Sequence, residues 1–201
     1  MEEIIMAMNF KIFDSKETLS VYTADILRKQ VHNNPTSLLA LEMNEDLNWA
    51  YEKFVGETKQ HPADFSQVNI TLIGKPTTDV LDKLKIPENQ FHKDGSSESL
   101  NSLLKDKDQI SLGLLYLDDK GDVGFNDGDK NEPVFEAREL MVVAAGADKA
   151  DIVRALYNAK ENDKDAYSQI KSHRMVTVVL DREAASGLDP DIVDYYSYKF
   201  A

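Results

Sequence analysis

Residues 139–162 read ELMVVAAGADKADIVRALYNAKEN: a strand-like apolar run, a turn at Gly146, then a long helical pattern. The same unit recurs outward in both directions. TSLLALEM (36–43) is a short apolar run bounded by turn and charge, as a strand buried on both faces requires. HRMVTVVLDREAAS (173–186) is another buried strand, and QISLGLLYL (109–117) and SQVNITLIGKP (66–76) are two more. Strands that alternate with helices build a parallel sheet with helices on both faces.

The helical segments are read from spacing and caps. NFKIFDS (9–15) is a strand that ends in the cap residues Asp14 and Ser15. The helix after it places Leu19, Tyr22, Ile26 and Val31 at helical spacing and stops at Asn33-Asn34-Pro35. NEDLNWAYEKFVGE (44–57) carries Leu47, Tyr51 and Phe54 on one face. TTDVLDKLKIP (77–87) is expected to be helical to Ile86, where Pro87 stops it. SSESLNSLLKDKDQ (96–109) is a further helix with serine at its start. The tail, DPDIVDYYSYKFA (189–201), is dense in aromatics: Tyr195, Tyr196, Tyr198 and Phe200. Terminal aromatics gain most by packing back on their own core, and that is the expected arrangement here. The chain, 1–201, is expected to form one doubly wound, Rossmann-like α/β domain with a mainly parallel sheet.

Composition narrows the function. The chain of 201 residues has a formal charge of −13, which opposes a phosphate backbone or an anionic membrane surface. Nucleic acid and membrane are therefore not expected partners, and a homo-oligomer stays open. The absence of cysteine removes disulfides, thiolate nucleophiles and cysteine-ligated metals, and fits a cytoplasmic location. The start, MEEIIMAMNFKIF, lacks the basic segment of a signal peptide, and MNFKIFDS reads cleanly from Met8.

In a doubly wound sheet the default site is the crevice at the carboxyl ends of the strands. Four loops are expected to face it: Glu42 to Asp46, Gly74 to Thr78, Asp118 to Asp129, and Gly146 to Lys149. No dinucleotide fingerprint, phosphate loop of the Walker type or nucleophile-elbow motif is present. The acidic stretch YLDDKGDVGFNDGD (116–129) fails as an EF-hand, because Val123 falls where the sharp turn needs glycine. The four histidines are scattered, without the helical pairing a zinc site favours. No metal or cofactor is expected.

Two stretches carry a resemblance. KLKIPENQ (83–90), followed by Gly95, is similar to the "hvdIPeeNi…dG" segment of the glucosamine-6-phosphate isomerase/deaminase and 6-phosphogluconolactonase group. GFND (124–127) resembles the "DGHIaFNEP" catalytic loop of the deaminases. The strand–helix–strand unit at 8–41, the "GxxKA"-like VAAGADKA (143–150) and the final strand HRMVTVVLD (173–181) follow in the family's order. The resemblance implies a Rossmann-like fold, a cytoplasmic phosphosugar as ligand, and proton-transfer chemistry without a redox cofactor. It also implies a phosphate-binding role for Lys149 beside Gly146, at a helix start suited to an anion.

The departures from the family pattern are specific. Its "TGSTP"-like phosphate cradle reads LEMNED (41–46) here, with Glu42 and Asn44 at the cradle and three carboxylates where a dianion docks. At ~4 Å and an effective dielectric of about 20, each like-charge contact costs on the order of 4 kcal/mol. The "N-x-D-E" stretch that holds the family's base reads ITLIGKP (70–76). Aligned through Gly124, Phe125 and Asn126, the ring-opening histidine falls on Asp122 and the aspartate before it on Lys120. The glutamate partner falls on Asp127. Each lost acid or base costs roughly 10²–10⁴ in rate. The expectation is a sugar-phosphate isomerase-like protein that is degenerate at its catalytic loop and binds a sugar-like ligand or a partner. An isomerase or lyase that uses Asp122, Asp127 and Lys120 on another phosphosugar is the alternative, and a structural or interaction module the second.

Overall fold

In the computed structural model, the structure describes residues 8–125, 131–159 and 166–198. Among them, seven strands form one sheet in which every pairing is parallel. In chain order the strands are β1 (Asn9–Phe13), β2 (Leu38–Glu42), β3 (Asn69–Ile73), β4 (Phe91–His92), β5 (Leu112–Tyr116), β6 (Glu139–Ala144) and β7 (Val176–Asp181). Their spatial order is β1-β7-β6-β5-β2-β3-β4. The winding direction reverses between β2 and β5, where Leu39 lies opposite Leu112 and Leu41 opposite Leu114. A reversal of this kind leaves a crevice at the carboxyl ends of the two strands.

Helices cover both faces, so β2, β3 and β5 are buried at every position. On one face, α1 (Lys16–Asn33) and α2 (Asn48–Gln60) pack with Leu39, Leu41, Leu72 and Leu114. On the other, α3 (Ser97–Leu104), α5 (Ala150–Asn158) and α6 (Ala166–Ser172) pack with Leu38, Ala40, Leu115 and Val142. Two short helices, α4 (Glu132–Phe135) and α7 (Pro190–Tyr196), complete that layer. Successive strand residues point to opposite faces, which is why Leu38 and Leu39 belong to different halves of the core.

The first helix is capped as read, whereas α3 is capped by Ser96, whose hydroxyl accepts the Ser99 amide at 3.1 Å. The Ser15 hydroxyl accepts the Thr18 amide while the Thr18 hydroxyl accepts the Ser15 amide, a reciprocal capping box at 3.2 Å each way. The tail folds back: Tyr196 packs on Phe10 with ring centroids 5.4 Å apart, and Tyr198 on Phe13 at 5.2 Å. Tyr195 points into solvent, at 81% exposure, and Phe200 lies outside the described residues.

One helix is tighter than expected. Residues Val80–Leu84 form a 3₁₀ helix that ends at Lys85 in the left-handed conformation, φ 54°. The buried pair Leu81 and Leu84 is three apart, and at three residues per turn both face α2. The two-residue edge strand β4 and the helices α4 and α6 have no counterpart in the sequence reading. Each is short, and β4 exists only because it pairs with β3.

Candidate functional site

The carboxyl ends of β2, β5, β6 and β7 converge around Tyr116, the last residue of β5. Its amide donates to the Glu42 carboxyl at 3.0 Å, its hydroxyl bonds Asp46, and its ring lies 5.7 Å from the Lys149 ammonium. The ring is 2% exposed. Burial, followed by the negative charge of Asp46, raises the phenol above its ordinary pKa. Tyr116 thus joins the Glu42–Asp46 loop to the Gly146–Lys149 loop. Sequence reasoning did not single it out; an aromatic at the end of an otherwise aliphatic strand was the available signal.

Glu42 is turned inward. It is 5% exposed, and one carboxyl oxygen accepts both Tyr116 N–H and Gly124 N–H, the latter at 2.7 Å. Its own carbonyl accepts the Tyr51 hydroxyl from α2. Burial pushes its pKa up to about 8 against the pull of the two amides, with Asp118 adding to the rise. Near neutrality this carboxyl is therefore largely protonated. Of the three carboxylates at the expected cradle, only Glu45 and Asp46 are exposed. Asn44 is occupied locally, accepting the Asp46 amide at 2.9 Å to start the short turn 45–47.

The acidic loop after β5 spends its first aspartate on its own backbone. The Asp118 carboxylate accepts the amides of Lys120 and Asp122 at 2.8 Å each, and Asp118 N–H returns to the Asp122 carbonyl. Over residues 118–122 this is an Asx-type turn. No group of three or more metal-ligating side chains occurs among the described residues. The side chains of Lys120 and Asp122 are exposed, without the burial that lets a carboxylic acid serve as proton donor. Asn126 and Asp127 lie outside the described residues.

Lys149 is the counterpoint to these exposed charges. It is 4% exposed, and among the described residues its ammonium pairs with Asp148, whose side chain is 64% exposed. The hydrogen bond from Lys149 holds the Asp148 carboxyl below the usual carboxylate range. Gly146 accepts the Lys149 amide at 3.1 Å and donates its own N–H to the buried Asp181 carboxylate of β7.

A cavity of about 750 Å³ lies at the opposite end of the sheet, beside the amino ends of β5, β6 and β7. Its His173 is committed to the backbone: Nε2 donates to the Ala137 carbonyl at 2.8 Å and Nδ1 accepts the Met175 amide at 3.1 Å. The ring therefore braces two strand entrances.

The parallel sheet and its switch-point crevice define a Rossmann-like, doubly wound α/β fold. No protein-family model matches the chain. A glucosamine-6-phosphate deaminase of Hahella chejuensis is 24% identical over 190 residues, 73% of this chain and 70% of that protein. One from Alkaliphilus oremlandii is 22% identical over 239 residues, 89% of this chain and 99% of that protein. Among solved structures, a monomeric glucosamine-6-phosphate deaminase superposes with TM-score 0.76 at 16% identity, covering 90% of this chain and all (100%) of that one. A 6-phosphogluconolactonase from Trypanosoma cruzi gives 0.70 at 12% identity, covering 94% and 99%. In sequence the chain resembles the glucosamine-6-phosphate deaminases at a distance, and it shares the fold of these deaminases and 6-phosphogluconolactonases. No helix among the described residues is long and apolar enough to cross a membrane.

Proposed function

We propose that this chain binds a phosphorylated sugar through Lys149 and has lost most of the family's deaminase turnover. The observation that carries the reading is the state of Lys149. A buried ammonium whose described ion-pair partner is one exposed carboxylate is a site where a ligand oxyanion can displace that partner. The curated relatives named glucosamine-6-phosphate deaminase supply the ligand class. Protonated Glu42 removes one of the repulsive charges expected at the cradle, which favours binding. The exposed Asp122 and Lys120 stand where a tuned acid–base set is needed, which disfavours turnover. A cytoplasmic location fits the net negative charge and the lack of cysteine.

Calorimetric titration with glucosamine 6-phosphate, galactosamine 6-phosphate, 6-phosphogluconate and the unphosphorylated sugars tests the reading. The expected result is binding of a phosphorylated member only, weakened at least about tenfold by Lys149→Met, an energy of ~1.4 kcal/mol. Binding indifferent to Lys149→Met, or no binding at all, would overturn the ligand assignment. Ammonia release at an ordinary enzymatic rate of about 1–10³ s⁻¹ would overturn the loss of turnover.

A further inference from the structure

We infer that the amides of Tyr116 and Gly124 form a two-donor pocket for a carboxyl oxygen, and that Glu42 fills it in cis as the internal substitute for an external carboxyl group. The pocket is built from two elements that have no other reason to aim at one point. Tyr116 N–H comes from the end of β5, at 3.0 Å, and Gly124 N–H from the loop that follows, at 2.7 Å. Both reach the same oxygen of a side chain that is 5% exposed. Convergent backbone donors in a dry setting are the arrangement by which proteins bind oxyanions.

The loop is shaped to present its amide. Gly124 sits at φ 67°, and a β-carbon there would lie 2.3 Å from Asn131 Oδ1. That same Asn131 oxygen accepts Phe125 N–H at 2.9 Å, and Asn131 Nδ2 donates to the Val123 carbonyl at 2.9 Å. Asn131 thus fixes the turn from outside while Glu42 fixes it from inside. Around Glu42 the facing groups are the Tyr51 hydroxyl of α2, bonded to its main-chain carbonyl, and Asp118 of the loop. Neither can donate to the carboxyl what the two amides donate. The consequence is a loop held against β2 before any ligand arrives, with the pocket closed to anions from solvent. The inference is independent of the role proposed for Lys149.

The test is anion rescue read by thermal unfolding of the full chain. Glu42→Ala leaves a buried and a half-buried amide without an acceptor, and formate or acetate of one or two carbons fits the space the side chain vacates. The expected result is a lowered Tm for Glu42→Ala that rises saturably with formate or acetate in the millimolar range, beyond the effect of equal chloride. Wild type and Glu42→Gln, whose amide oxygen can accept both N–H groups, should show no such excess. An equal response of all three proteins to formate, or no response of Glu42→Ala beyond chloride, would overturn the proposal. Should Glu42→Ala fail to fold, amide hydrogen exchange decides. Gly124 N–H should be protected in wild type and in Glu42→Gln; fast exchange of that amide in wild type would show that the pocket is not filled.

Discussion

Asp181, the last residue of β7, accepts the Gly146 amide on both carboxylate oxygens at 3.1 Å and the Ala184 amide at 2.8 Å. It is 3% exposed, so these bonds replace water completely. One buried carboxylate thereby sets both the glycine turn that leads to Lys149 and the start of the segment after β7. Asp181→Ala should cost about 2–4 kcal/mol, because the buried Ala184 amide and the half-buried Gly146 amide lose their acceptor. Asp181→Asn, which keeps an acceptor oxygen, should cost less. Urea unfolding of the two variants at unchanged m-value checks the order.

Gly95 explains why a glycine follows the IPEN segment at a distance. Its amide neighbourhood is locked to the turn after β3: Gly74 N–H donates to the Gly95 carbonyl at 2.9 Å. A β-carbon on Gly95 would lie 1.9 Å from the Gly74 carbonyl oxygen, at φ 70°. Because the obstacle is backbone, it cannot rotate away. Gly95→Ala should destabilise by roughly 2–4 kcal/mol, combining left-handed strain with displacement of the turn. A loss under about 0.5 kcal/mol in denaturant titration would show that the two turns are free to separate.

Glu42 should make stability depend on pH in the direction opposite to an ordinary salt-bridged carboxylate. Its folded pKa, about 8, lies above the ordinary value of 4.5, so the folded state holds a proton the unfolded state has released. Its contribution is full below about 4.5 and is lost as pH rises through about 8. The loss across that window is on the order of a few kcal/mol. Glu42→Gln cannot ionise, so it should equal or exceed wild type in stability at pH 8.5, with a flatter profile. Denaturant midpoints measured at pH 5, 7 and 8.5 for both proteins check this; parallel profiles would contradict it.

The C-terminal aromatics should be worth several kcal/mol. Tyr196 packs on Phe10, Tyr198 packs on Phe13 and on Tyr22 at 5.5 Å, and the Tyr198 amide donates to the Ile12 carbonyl at 2.8 Å. This covers the outer side of edge strand β1, where Ile12 and Ser197 form a parallel bridge. Truncation after Asp194 should lower stability by about 2–4 kcal/mol, from aromatic pairs of 0.5–1.5 kcal/mol each plus lost area. Differential scanning calorimetry should show a lower Tm, and an unchanged Tm would mean the tail is idle. Tyr195→Ala, on the exposed ring, should change little.

Much of the scaffold was legible because its signals are local. The reciprocal cap of Ser15 and Thr18, the buried run LLALE and the glycine at 146 each announce a start, a strand or a turn within a few residues. The site was legible only in outline. Lys149 and Gly146 could be placed in the turn after β6 from the GADKA stretch. Glu42 was read as a charge facing the crevice, whereas its two amide partners lie 74 and 82 residues further along the chain. Tyr116 looked like one more apolar strand residue, because the Asp46 and Lys149 side chains that gather on it come from two other loops.

The sequence by itself determined the six longer strands and the main helices, since periodicity and capping are properties of neighbours in the chain. The strand order, the reversal between β2 and β5 and the inward turn of Glu42 belonged to the tertiary structure. Whether a carboxyl is a solvated charge or a protonated plug depends on what surrounds it in space, and those surroundings exist only once distant strands have met.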